Sequence, residues 1–173
     1  MTEINRSVKI NAPLNKVFDY TSNYRNWSEF FEGVSEVKPI TETTRGNGTK
    51  FIYKVKDLGM KVAVGTETHE FKENEGWRGK SFKGMEHSTQ WIFKKSNGGT
   101  ELTYILKYSF PWYFGGKLID KMFAASEWIK IIENSLQNVK RKMEQKYSFS
   151  KHHTCGKLKI PYGYATRSVW YSS

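Results

Sequence analysis

The sequence holds a single cysteine, Cys155, among 173 residues. One thiol cannot build an internal disulfide framework, and its scarcity suits a chain kept in the reducing cytoplasm. Long apolar runs are missing as well: no stretch approaches the roughly 18 residues that cross a bilayer. The first ten residues carry Glu3, Arg6 and Lys9, so no signal peptide is expected there. Acidic residues are absent after Glu144, while Lys146, Lys151, Lys157, Lys159 and Arg167 follow it, so nearly half of the formal charge of +11 sits in the tail. Elsewhere lysines are interleaved with acids, as between Lys61 and Lys72, where Glu67 and Glu70 intervene. No basic stripe results, and nucleic acid is not an expected partner. Phosphate-cradling loops, zinc-protease motifs and esterase nucleophile elbows are lacking too. His152-His153-Thr154-Cys155 supplies three soft ligands in one segment, short of a tetrahedral set, so no metal and no cofactor is expected.

What the chain does have is a composition that folds, 38% hydrophobic and 16% aromatic, over a length that suits one domain plus an appendage. Ile4, Val8 and Ile10 alternate with Glu3, Asn5, Ser7 and Lys9, Arg6 being the exception, and read as a half-buried strand. Asn11 is expected to cap, and Pro13 to open, a short helix with Val17, Phe18, Tyr20 and Thr21 on its apolar side. A second short helical stretch over 24–31 carries Trp27, Phe30 and Phe31 and stops at Gly33. From Val34 to Phe110 the period is two, broken by turn signals such as Gly46-Asn47-Gly48 and Asn97-Gly98-Gly99. Six strands fit, near 34–43, 48–57, 60–72, 76–84, 87–95 and 100–110. Connections this short exclude helical crossovers, so the sheet is an antiparallel meander. In the fourth strand of the chain Val62, Val64, Thr66 and Thr68 compete with Ala63, Gly65, His69 and Phe71 for the inner face, with Gly65 marking a bend or bulge. Last, Leu118, Met122, Ala125, Ile129, Ile132, Leu136, Val139 and Met143 form one stripe at spacings of three and four, a long amphipathic helix. A single such helix beside a sheet with an aromatic face is read as its cover rather than as a coiled coil.

The run from Val8 through Asn11-Ala12-Pro13 to Phe18-Asp19-Tyr20, with Trp27, then Trp91-Ile92-Phe93 and Gly98-Gly99-Thr100-Glu101-Leu102-Thr103-Tyr104, resembles the polyketide cyclase/dehydratase and lipid-transport group. That group belongs to the helix-grip superfamily, with START domains and birch-pollen-allergen-like proteins. The resemblance covers residues 3 to 145. It implies an α+β helix-grip fold: a curved seven-stranded antiparallel sheet with two short helices and a long C-terminal helix. The domain is drawn at 1–146, and 147–173 is a basic aromatic tail of unknown structure.

The resemblance also implies a hydrophobic cavity between sheet and helix. Alternation assigns its walls to Phe51, Tyr53, Val55, Val64, Trp91, Phe93, Tyr104, Leu106 and Tyr108, with Met122, Phe123 and Ile129 closing it from the helix. Rings alone do not decide between a cavity and a filled core. Trp112, Tyr113 and Phe114, next to Gly115-Gly116, read either as a gate at the mouth or as a cap on the core. His69 and His87 lie on strands, where either would serve as acid or base beside Glu67, Glu70 or Tyr53 if it faced the cavity. The expectation is a binder of a small apolar or amphipathic molecule, lipid, polyketide or quinone-like, rather than a catalyst. The alternatives are an aromatase/cyclase-type enzyme acting on a polyketide-like substrate and a lipid or quinone chaperone that touches a membrane transiently through the gate and tail. Oligomeric state is not legible.

Overall fold

A computed structural model describes residues 1–57, 60–109 and 125–153. The chain opens with strand β1 (Thr2–Ile10), followed by helix α1 (Leu14–Ser22), a short 3-10 turn (Tyr24–Asn26) and helix α2 (Trp27–Phe30). Six strands come next: β2 (Val34–Pro39), β3 (Lys50–Asp57), β4 (Met60–Lys72), β5 (Gly76–Lys83), β6 (His87–Ser96) and β7 (Gly99–Tyr108). Helix α3 (Ala125–His153) completes the fold. All seven strands join one antiparallel sheet in the order β1-β7-β6-β5-β4-β3-β2, so every neighbour is a hairpin partner except β1, which pairs with the last strand. The meander expected from the turn spacing is therefore present.

Alternation decides what each strand buries. On β7 Thr100, Leu102, Tyr104, Leu106 and Tyr108 are buried, whereas Glu101, Thr103, Ile105 and Lys107 are half-exposed. The two readings of β4 both hold in part, because the strand changes phase. Val64, Thr66 and Thr68 face inward, then a register shift between His69 and Lys72, with Glu70 at φ 50°, brings Phe71 to the same side. A bulge inserts one extra residue and so reverses the alternation beyond it. Opposite Gly65 a second shift makes Phe82 the surplus residue of β5; a Cβ on Gly65 would lie 2.6 Å from the Phe82 ring, which would have to swing aside.

One end of the interior is solid. Phe18 of α1 meets Phe71, Trp77 and Phe93 edge-on at 5.0 to 5.6 Å, and Trp77 stacks between Phe93 and Trp91. Arg45 caps this end, its guanidinium over the Phe18 and Phe71 rings and paired with Asp19 and Glu73. Helix α3 buries Ile132, Leu136, Val139 and Met143, as its stripe predicts. It is tied down by Glu32 N–H to Ser135 Oγ (2.9 Å), Asn138 Nδ2 to Phe30 O (3.1 Å) and Lys140 Nζ to Lys9 O (2.8 Å). Arg6, the charge on the apolar side of β1, reaches Glu133 of α3 at 2.7 Å.

Two expectations are corrected. Asn11 does not cap α1: Pro13 is the N-cap residue, no side-chain cap forms, and the Asn11 backbone N–H instead donates to Glu144 Oε1 at 2.8 Å. The last helix continues beyond the boundary at 146, through 147–153, with Tyr147 packed against the core. The stripe residues Leu118 and Met122 lie outside the described residues.

Candidate functional site

Away from the solid end, the concave face of the sheet, the α1–α2 corner and the start of α3 enclose a cavity. Its volume is about 90 Å³. Tyr53 and Val55 of β3, Val62 and Val64 of β4 and Leu106 of β7 form apolar walls. Trp91 and Tyr104 lean together at 4.5 Å between ring centres, with Phe31 edge-on to both, and Trp128 closes the helix side. Trp27 is fixed by its indole N–H on Thr21 O (2.9 Å) and meets Tyr53 at a right angle. Among the described residues no Lys, Arg, Asp or Glu lines this space.

One wall is polar, and its hydrogen bonds have a direction. His87, 7% exposed, places Nδ1 2.8 Å from Met85 O and Nε2 3.2 Å from Thr66 Oγ1. A carbonyl only accepts, so Nδ1 carries the proton and the Nε2 lone pair accepts from the Thr66 hydroxyl. Thr66 has one proton to give, and Tyr53 Oη lies 2.9 Å from its oxygen, so Tyr53 donates to Thr66. The relay runs Tyr53 to Thr66 to His87. Burial lowers the His87 pKa below its ordinary 6.5, partly opposed by the Met85 carbonyl, which keeps the imidazole neutral. Burial raises the Tyr53 phenol above 10. Tyr104 is held well above 10, by burial first and by the nearby Tyr53 second.

Of the residues assigned to the site, Tyr53, Val55, Val64, Trp91, Tyr104 and Leu106 line the cavity together. Phe51, Phe93, Tyr108 and Ile129 do not. Phe51 is covered by Tyr24 and Trp27, Phe93 belongs to the solid ring cluster, and Tyr108 is fully buried near Trp128. Ile129 is half-buried because on that turn of α3 the inward position falls to Trp128, one residue earlier, while the stripe holds from Ile132 onward. Met122, Phe123, Trp112, Tyr113 and Phe114 lie outside the described residues, as do Thr154 and Cys155. His69 is on the outer face, its Nε2 3.9 Å from Glu67, and Glu70 pairs outside with Arg78. The sequence offers Thr66 and Thr68 for the inner face in one of two registers of β4 without assigning them to the wall, and Thr89, Trp77, Gly79, Met85 and Trp128 escape it. A signal existed for Thr89 and for the facing of His87: Trp91 and Phe93 were already placed inward, and residues two and four positions earlier share their face.

The N-terminal 144 residues match the family model described as polyketide cyclase/dehydrase and lipid transport. The chain belongs to that family. Among solved structures, TTHA0849 from Thermus thermophilus is 19% identical with a TM-score of 0.70, over 82% of this chain and 97% of that one. A START superfamily protein from Mycobacterium smegmatis gives 13% and 0.63, over 83% and 97%. The di-domain aromatase/cyclase StfQ of the steffimycin biosynthetic pathway gives 11% and 0.70, over 84% of this chain and 51% of that one. Identities this low carry the fold alone, and the fold is helix-grip. No curated protein sequence matches. Among the described residues no helix is long and apolar enough to cross a membrane, and no three metal-ligating side chains cluster.

Proposed function

We propose that this member of the family binds a small hydrophobic or amphipathic molecule in the cavity between the sheet and α3. The carrying observation is an apolar enclosure with a single polar wall, walled by Tyr53, Val55, Val64, Trp91, Tyr104 and Leu106 among others. Ligand sites are concave and mostly apolar, with a few placed polar groups that orient what enters. Four tryptophans, Trp27, Trp77, Trp91 and Trp128, surround the space, so binding has a built-in optical readout. Titration with N-phenyl-1-naphthylamine, a neutral apolar probe, should quench tryptophan emission saturably at one site. Absence of saturable quenching, with no molecule recovered from the purified protein by mass spectrometry, would reject the reading. Residues 1–146 would then be a filled scaffold. Repeating the titration with vesicles present, and sedimenting them, separates a soluble binder from a carrier that docks on membranes.

A second reading, an aromatase/cyclase-type enzyme, is favoured by the position of His87. A carbon acid next to a carbonyl would give its proton to Tyr53 Oη as the tyrosine proton passes to Thr66 and the threonine proton to His87 Nε2, leaving an enolate and an imidazolium. Formation of an aromatic product from a poly-carbonyl substrate, lost in His87→Gln, would select it over simple binding.

A further inference from the structure

The direction of the relay dictates what its cavity end can offer a ligand. Because Tyr53 spends its only proton on Thr66, its oxygen meets the cavity as a pure acceptor. Tyr104 is the complement. It is 5% exposed, its ring is wedged against Trp91 and Phe31, and its hydroxyl makes no hydrogen bond to any described residue. Among the described residues the fully buried polar side-chain atoms without a partner are Ser22 Oγ and Asn74 Oδ1, not the Tyr104 oxygen, which opens on the cavity and is free to donate to an acceptor that enters. Both phenols line the same cavity.

We propose, building on the binding reading above, that the cavity selects uncharged apolar molecules carrying a hydroxyl group, an alcohol, phenol or enol, whose oxygen accepts from Tyr104 and whose proton goes to Tyr53 Oη. A hydrocarbon leaves Tyr104 unpaired. An ether or ketone satisfies Tyr104 but leaves the Tyr53 oxygen unmatched. A carboxylate or ammonium finds no counter-charge among the described lining residues, and His87 is neutral, so its desolvation is uncompensated. Thr66 and His87 act as positioning residues: they hold the Tyr53 proton away from the cavity and so convert an ambivalent phenol into an acceptor.

The test uses 2-naphthol, 2-methylnaphthalene and 2-naphthoate, equal in ring size and different only in the substituent, titrated by tryptophan quenching at pH 7. Wild type should bind the naphthol and reject the naphthoate. Tyr104→Phe, which deletes one oxygen and keeps the ring, should weaken the naphthol about tenfold, the worth of one well-made hydrogen bond, and leave 2-methylnaphthalene within about twofold. Thr66→Val should do likewise by freeing the Tyr53 proton, with thermal melts confirming that both variants fold. If the naphthol and the methyl compound respond equally to both changes, or the naphthoate binds as well as the naphthol, hydroxyl selection is wrong while the binding reading stands. If none of the three binds, the binding reading fails and takes this proposal with it.

Discussion

Replacing Gly79 by alanine adds one methyl group at the crowded centre of the polar wall. Gly79 pairs with Thr68 on one side and Thr89 on the other. A Cβ there would lie 2.5 Å from Thr89 Oγ1 and 2.8 Å from Thr66 Cγ2, both closer than real contacts allow. The backbone of Gly79 is not in the left-handed region, so the effect is steric, and the entropic benefit of alanine, about 0.4 to 1 kcal/mol, is retained. Thr89 can yield, since no hydrogen bond of its hydroxyl to a described residue has to break. Thr66 cannot, because any rotation loosens its bonds to Tyr53 at 2.9 Å and His87 at 3.2 Å together. Overpacking costs roughly 1 to 3 kcal/mol, and a buried group left unpaired costs about the same. The expected net loss is about 1 to 6 kcal/mol, measured by urea denaturation, accompanied by loss of discrimination between 2-naphthol and 2-methylnaphthalene. A variant as stable as wild type that keeps this discrimination would show that the wall is plastic and that Thr66 is not held as argued.

Leu106→Trp should block binding of the naphthylamine probe at little cost to stability, because Leu106 faces open space; a loss of about 1 to 3 kcal/mol would instead mark a filled interior. Since the folded His87 pKa lies below 6.5, the unfolded chain takes up the proton first, so the stability from neutral His87 is complete above about pH 6.5 and is lost as pH falls through the folded value. Melting temperature should therefore drop on acidification from pH 7 to 5, and His87→Gln should flatten that slope; Tyr53 and Tyr104, its cavity neighbours, do not titrate in this range, and an unchanged slope would exclude His87 as the source. A chain ended after His153 should melt cooperatively at the full-length temperature, because the buried stripe closes at Met143. One ended after Lys146 should lose about 1 to 2 kcal/mol with the packing of Tyr147 but still fold; a non-cooperative melt of either would make 154–173 or 147–153 integral to the core.

The strands were legible because turn chemistry and period-two alternation are local properties, and β3 and β7 show their burial directly in residues such as Phe51, Val55, Leu102 and Tyr108. The same alternation could not say which inward residue faces a void and which a neighbour. Phe51 and Tyr53 share one face of β3, yet the first lies under Trp27 and Tyr24 while the second opens on the cavity, a difference made by where the α1–α2 corner lands. On β4 the reading stayed divided because a bulge at Glu70 makes Thr68 and Phe71 both point inward, and Glu70 in the left-handed region has no sequence signature. Trp128 was lost to Ile129 because spacings of three and four fit a helix stripe equally well until the partner surface selects one. The relay was out of reach for a different reason: Thr66 and His87 are 21 positions apart and meet only across the strands of the folded sheet.

The pairing of β1 with β7 has a kinetic consequence. Each of the other pairings closes over a short turn and can zip in sequence from β2 to β7, whereas Ser7 must find Thr103 across 96 positions. Contacts this distant form late, since the entropy of closing the loop precedes any reward. During synthesis β1 precedes the six strands it joins and is thus the last of the seven to be paired, and until then its apolar row of Ile4, Val8 and Ile10 is uncovered. Arg6 lies in the middle of that apolar row, where a charge discourages strands of neighbouring chains from adding to it. In the folded chain β1 is still an edge strand, and there Glu133 of α3 answers the Arg6 charge at 2.7 Å.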